Sequence, residues 1–135
     1  MTETLPGQPA NKALQVHKVL IADDEPNIVV SLEYLMKREG HEVHVARDGD
    51  EALAALRRLK PALVLLDVMM PKRNGFEVLA AARADESLAG LKVVMLTAKG
   101  RDTDVAQGLG LGADAYVTKP FSTRELAAKV RELLG

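Results

Sequence analysis

ALVLLD, residues Ala62–Asp67, is an unbroken apolar run that stops on a carboxylate. A strand with one wet face alternates apolar and polar residues. A run apolar at every position fits a strand covered on both faces, as in a parallel sheet flanked by helices. The pattern recurs on either side. VLIAD (Val19–Asp23) precedes it, KVVMLTA (Lys92–Ala98) and AYVTK (Ala115–Lys119) follow, and HEVHVA (His41–Ala46) alternates as a strand does.

Stretches of helical period separate these runs. IVVSLEYLMKREG (28–40) is amphipathic and closes on Gly40, a C-cap signal. DGDEALAALRRL (Asp48–Leu59) starts acidic and ends basic, matching the helix dipole. FEVLAAARA (76–84) is a third helix, and a glycine-interrupted stretch near Asp102–Leu111 a fourth. STRELAAKVRELL (122–134) opens on Ser122 and Glu125, spaced as a capping box. Strands alternating with such helices predict a single α/β, doubly wound domain: five parallel strands, five helices and right-handed crossovers.

The 135 residues leave no room for a second domain. Residues 1–17, with two prolines, a glycine and no sustained period, read as a mobile N-terminal leader. A net charge of -1 gives no broad field for nucleic acid or anionic membrane. The absence of cysteine removes disulfide scaffolds, zinc-thiolate sites and cysteine nucleophiles. No apolar run approaches the roughly 20 residues that span a bilayer, and the leader lacks the apolar core of a secretory signal. A cytoplasmic location is expected.

Ligands of open α/β sheets bind beyond the carboxyl ends of the strands. Asp23 and Asp24, Asp67, Thr97 and Lys119 stand at four of those ends. Close carboxylate pairs repel by about 4 kcal/mol at ~4 Å and an effective dielectric near 20. Lys119 relieves part of this, and a divalent cation with oxygen ligands relieves more. Mg²⁺ suits such a set, because it takes one or two carboxylates and completes its shell with water or phosphate oxygens. A cation, a lysine and a hydroxyl around a carboxylate are what phosphoryl transfer onto that carboxylate requires.

IADDEP, LVLLDVMMPKRNGFE, VVMLTAK and AYVTKPF, in this order and each at a strand end, resemble the receiver domain of two-component response regulators. The resemblance covers residues 18–134 and implies a flavodoxin-like sheet of order 2-1-3-4-5, so that 18–135 is a receiver domain. It implies Asp67 as phosphoacceptor, with Asp24, Asp67 and the backbone carbonyl of Met69 as Mg²⁺ ligands and Asp23 acting through a metal-bound water. Thr97 would hydrogen-bond the phosphoryl group and Lys119 would pair with it. Tyr116 matches the rotating aromatic switch, Ala98 the small residue that leaves the phosphate accessible, and Lys119–Pro120 a cis peptide. The implied role is phosphoacceptor rather than enzyme in the ordinary sense, although the domain assists its own phosphorylation. The partner upstream is a sensor histidine kinase or a histidine phosphotransfer protein. Met69 is apolar where a polar side chain would orient water, so self-dephosphorylation is expected to be slow.

Read one at a time, these residues have plainer explanations: Asp23-Asp24 as helix caps, Thr97 as a strand residue, Lys119 as a solvated charge, Tyr116 as an edge aromatic. Only their joint placement displaces those readings. His17, His41 and His44 lie away from the rim and are expected at the surface. Gly108, Gly110 and Gly112 do not follow a strand, so they form no dinucleotide loop. An aspartate-nucleophile phosphatase would carry its nucleophile on the first strand with a second acid two residues on, whereas Asp67 ends the third and position 69 is methionine. A mononucleotide binder would not place the acidic ADDEPN after strand one.

Three outputs fit the resemblance. The chain could be a stand-alone relay docking on another protein, a homodimer formed on phosphorylation, or the receiver of a longer DNA-binding regulator. The surface in question is that of the fourth helix, fifth strand and fifth helix. Receivers joined to winged-helix domains usually read GADDY there, and this chain reads GADAY, with Ala115 in place of an acid. The relay is the expected output.

Overall fold

The computed structural model describes residues 16–98, 106 and 110–135. The leader, apart from Val16 and His17, lies outside the described residues. Five strands form one parallel sheet of order β2-β1-β3-β4-β5: β1 (Lys18–Ala22), β2 (Glu42–Ala46), β3 (Leu63–Asp67), β4 (Lys92–Ala98) and β5 (Ala115–Lys119). The register is continuous, with Ala22 opposite Ala46 and Leu66, and Thr97 opposite Thr118.

Four α-helices are delimited among the described residues, not the five expected: α1 (Pro26–Arg38), α2 (Gly49–Leu59), α3 (Gly75–Ala84) and the C-terminal helix α4 (Thr123–Leu134). The stretch expected as a helix near 102–111 lies largely outside the described residues; Ala106 and Gly110 within it are helical.

The helix ends obey local chemistry. Pro26 opens α1, where its missing N–H costs nothing. Gly40, at φ +90, lets His41 N–H donate to Met36 O at 3.1 Å and Gly40 N–H to Lys37 O at 2.9 Å. These two bonds form a Schellman cap, as the sequence predicts. Asp48 caps α2 by accepting from Glu51 N–H. Asn74 and Glu77 form a reciprocal capping box on α3 that the sequence reading passed over, although N-x-x-E spells it. At Ser122 one half of the expected box is in place, its hydroxyl accepting from Glu125 N–H at 3.2 Å.

Strand alternation divides the core in two. Leu20, Val64, Leu66, Val93 and Met95 meet α2 and α3 on one face. Val19, Ile21, Leu63, Leu65, Val94 and Leu96 meet α1 and α4 on the other. β3 is buried at all five positions, which is why its sequence shows no alternation.

Beneath the sheet Arg83 fastens α3 to the strand that follows. Its guanidinium donates to Leu91 O at 2.7 Å, Gly112 O at 2.9 Å and Asp114 at 2.8 Å. The same Asp114 oxygen accepts from Val93 N–H at 2.7 Å. The remaining acid of the GADAY motif is therefore bound within the domain. Ala115, only 8% exposed, sits in the core on the α1/α4 side.

Candidate functional site

The carboxyl ends of β1, β3, β4 and β5 share one rim because the sheet is parallel and in register. Asp23 stands just past β1, where its N–H donates to Ala46 O at 3.1 Å. Asp67 is the last residue of β3, Thr97 the second-last of β4 and Lys119 the last of β5. The structure thus gathers the expected acids, hydroxyl and ammonium in one place.

Asp23, Asp24 and Asp67 each offer an oxygen within 4.8 Å of the others. Asp23 is fully buried and Asp67 is 5% exposed, while Asp24 faces solvent. Lys119 Nζ lies 2.9 Å from Asp23, 3.4 Å from Asp67 and 3.6 Å from Glu25. Burial pushes Asp67 up to about 6, the Asp23 carboxylate adds to this, and Lys119 and the Met69 N–H pull against it. Burial alone would lower Lys119; its hydrogen bond to Asp23 and the nearby Asp67 charge more than offset that, and the ammonium is held above its ordinary value. Asp23 also accepts from Glu25 N–H at 2.9 Å, which shapes the turn into α1.

The Thr97 hydroxyl is buried with no hydrogen-bond partner among the described residues, in a residue only 2% exposed. A buried hydroxyl left unpaired costs on the order of 1–3 kcal/mol, so it calls for an explanation, and a ligand atom at this acidic rim supplies one. Mg²⁺ fits the donors present: hard carboxylate oxygens, one of the carboxylates open to solvent, around a rim where Lys119 is the one close ammonium among the described residues, which leaves an excess of negative charge. Asp23, Asp24 and Asp67 are the carboxylates that would hold it.

Met69 is 59% exposed at the mouth of the rim, and its N–H donates to Asp67 at 3.3 Å. Tyr116 is half-buried against the α2/α3 side of the core, beside Met95 in the register. Ala98 is exposed, and the Lys119–Pro120 peptide is cis as expected. His17 and His41 pack edge to face at the far end of the sheet, 5.6 Å apart, and are part-buried rather than fully at the surface.

Three contributors escaped the sequence reading. Glu25 joins the Lys119 cluster, a role that the third acid of DDE already hinted at. Gly75 packs so tightly beneath Asp67 that a Cβ there would overlap the Asp67 carbonyl oxygen. Gly49 stands in the same relation to Arg73, and only tertiary contact reveals it.

A parallel five-stranded α/β domain with acids, an ammonium and a buried hydroxyl at one rim has the build of a receiver-type signalling domain. Residues 19–131 match the family model of the response regulator receiver domain, and the chain belongs to that family. Its members are signalling proteins rather than enzymes in the ordinary sense. The alkaline phosphatase synthesis transcriptional regulatory protein PhoP of Bacillus subtilis (strain 168) is 46% identical over 117 residues, 87% of this chain and 48% of the relative. The chain therefore spans about half the length of that relative. The receiver domain of Francisella response regulator 1452 superposes with TM-score 0.80 at 33% identity, over 87% of this chain and 96% of that one. The receiver domain of the sensor histidine kinase PA1611 from Pseudomonas aeruginosa PAO1, which has a magnesium ion coordinated in its active site cleft, gives TM-score 0.82 at 25% identity over 90% and 99%.

Proposed function

We propose that Asp67 accepts a phosphoryl group from a phosphohistidine on a sensor kinase or a histidine phosphotransfer protein, in a cytoplasmic two-component pathway. The observation that carries this reading is the orphaned Thr97 hydroxyl, buried at the rim that also holds Asp67, Asp23 and Lys119. An Asp67 carboxylate oxygen forms the new bond to phosphorus as the donor's P–N bond breaks, and the imidazole keeps the electron pair. Lys119 pairs with one phosphoryl oxygen and the Thr97 hydroxyl donates to another. Mg²⁺, when bound, supplies positive charge that offsets the phosphoryl oxygens. Thr97 moves toward the phosphoryl group, Tyr116 turns inward after it, and the surface built on β5 and its flanking helices changes. Met69, apolar and exposed, offers water no hydrogen bond, which supports slow loss of the phosphoryl group.

The test is incubation with Mg²⁺ and a small phosphoryl donor such as acetyl phosphate, read by intact-protein mass. The wild type should gain one phosphoryl group and Asp67→Ala none. Labelling that persists in the variant assigns the acceptor elsewhere.

The output has two readings. The stand-alone relay expected from the sequence keeps its place. The transcriptional regulator among the relatives favours a receiver that serves DNA binding in a longer protein and pairs on phosphorylation. Ala115 has no ionisable group and is buried in the core, so this position offers such a pair neither a charge nor an exposed contact. Solution mass with Mg²⁺ and beryllofluoride separates the readings. A doubling that Asp67→Ala lacks supports pairing, and an unchanged mass with the mimic bound supports the relay.

A further inference from the structure

The loop between β3 and α3 is clamped at both ends. At its start, Val68 N–H donates to Leu96 O at 3.0 Å and Val68 O accepts from Gly75 N–H at 2.8 Å. Farther along, the loop is tied to the first turn of α2, an element that contributes nothing to the acidic rim. Gly49 N–H donates to Pro71 O at 3.1 Å. Arg73 Nε donates to Asp50 at 2.6 Å, and Lys72 Nζ lies 3.5 Å from Asp48. Gly49 is buried, and a Cβ on it would run into the Arg73 backbone and side chain. Between the clamps, Lys72 is held at φ +72, a left-handed conformation that a residue with a side chain adopts only when its surroundings impose it.

Met69 lies inside this clamped loop. We infer that Gly49, with the Asp50–Arg73 ion pair, is a positioning element for the cation site: the first turn of α2 holds the loop so that the Met69 backbone and Asp67 keep their relative places. The inference rests on the reading of Asp67 as a cation-assisted phosphoacceptor. None of these residues touches the acidic rim, so their effect passes through the loop. Outer supports of metal ligands typically change affinity 10- to 100-fold when removed. A backbone strap of this kind belongs at the lower end.

The exposed ion pair provides a test of sign. If Arg73 and Asp50 acted on the cation only through their charges, removing the Arg73 cation would tighten Mg²⁺ binding and removing Asp50 would weaken it. A strap loosens in both cases. Mg²⁺ affinity of the full chain would be measured by titration calorimetry, beside urea unfolding, for wild type, Gly49→Ala, Arg73→Ala, Asp50→Ala and Arg73→Lys. Gly90→Ala serves as control, since a Cβ at Gly90 meets nothing within 4 Å. The expected result is about tenfold weaker Mg²⁺ binding for Gly49→Ala, a several-fold loss for both Arg73→Ala and Asp50→Ala, recovery in Arg73→Lys, and no change in Gly90→Ala. Tighter binding in Arg73→Ala, or wild-type affinity in a folded Gly49→Ala, overturns the strap. If Gly49→Ala does not fold, the sign at Arg73 decides. A wild type that binds no Mg²⁺, or an Asp67→Asn variant that binds it equally well, overturns the underlying reading instead.

Discussion

Asp67→Asn is expected to raise the unfolding free energy of the metal-free protein by on the order of 2 kcal/mol at neutral and alkaline pH, in the same variant that, on the proposed function, can no longer accept a phosphoryl group. The cause lies in the folded state. Burial first, and the Asp23 carboxylate second, lift Asp67 from 3.8 to about 6, with Lys119 restraining the rise. A carboxyl group whose affinity for protons rises on folding stabilises the native state below its unfolded value, and that contribution is lost as the pH climbs through about 6. Above that point the wild type carries a buried charge that the unfolded chain holds at no cost. Asparagine keeps the shape, and its carbonyl oxygen can still accept the Met69 N–H. The advantage of the variant should therefore shrink as the pH falls through about 6 and vanish near 3.8. Mg²⁺ should narrow the gap from the other side by stabilising the wild type more than the variant. Urea unfolding across pH, with chelator and then with Mg²⁺, reads all three trends. A wild type more stable than the variant above pH 6 without metal would show that the attraction of Lys119, 3.4 Å away, outweighs the burial of the charge.

Gly75→Ala should cost about 3 kcal/mol, the upper part of the range for overpacking a tight contact. The added methyl group would overlap the Asp67 carbonyl oxygen and stand 2.9 Å from the Val68 Cα. Both are backbone atoms, so no side chain can turn aside to make room. Alanine's better helix propensity returns at most about 1 kcal/mol. Because the atoms displaced belong to Asp67 and its neighbour, the lesion should also appear at the site. Urea unfolding should show the lower midpoint, and amide shifts of Asp67 and Val68 should move more than those of β1. An unchanged midpoint would mean that α3 can slide off β3 at little cost.

The sheet and the rim were legible because they depend on patterns local in sequence. ALVLLD, VLIAD and KVVMLTA announce strands covered on both faces, and the polar residue at the end of each announces where that cover stops. β5 was harder to read as buried, since it lies at the sheet edge with Val117 half-covered and Thr118 exposed. The helix ends were readable wherever a cap is encoded within four residues, as at Gly40 and Ser122. Asp114 shows the limit. Its motif points outward to a partner surface, whereas the structure spends its carboxylate on Arg83, 31 residues earlier, and on Val93 N–H. The tight approaches at Gly49 and Gly75 were invisible for a similar reason: a glycine shows in sequence that a side chain is missing, and the atoms occupying its place come from another segment.

The sheet has a consequence for how this domain can change over time. Among the described residues the two packed clusters share no member and lie on opposite sides of the strand backbones. Substitutions far apart and without common neighbours add their effects almost independently. Each face can therefore drift along its own history, accepting and repairing losses among its own helices without consulting the other. That freedom stops at the rim. By strand alternation Thr97 belongs with Met95 and the α2/α3 face, whereas Asp67 belongs with Leu65 and the α1/α4 face. Two lineages of packing that are otherwise free to diverge must there agree on the position of a few oxygens.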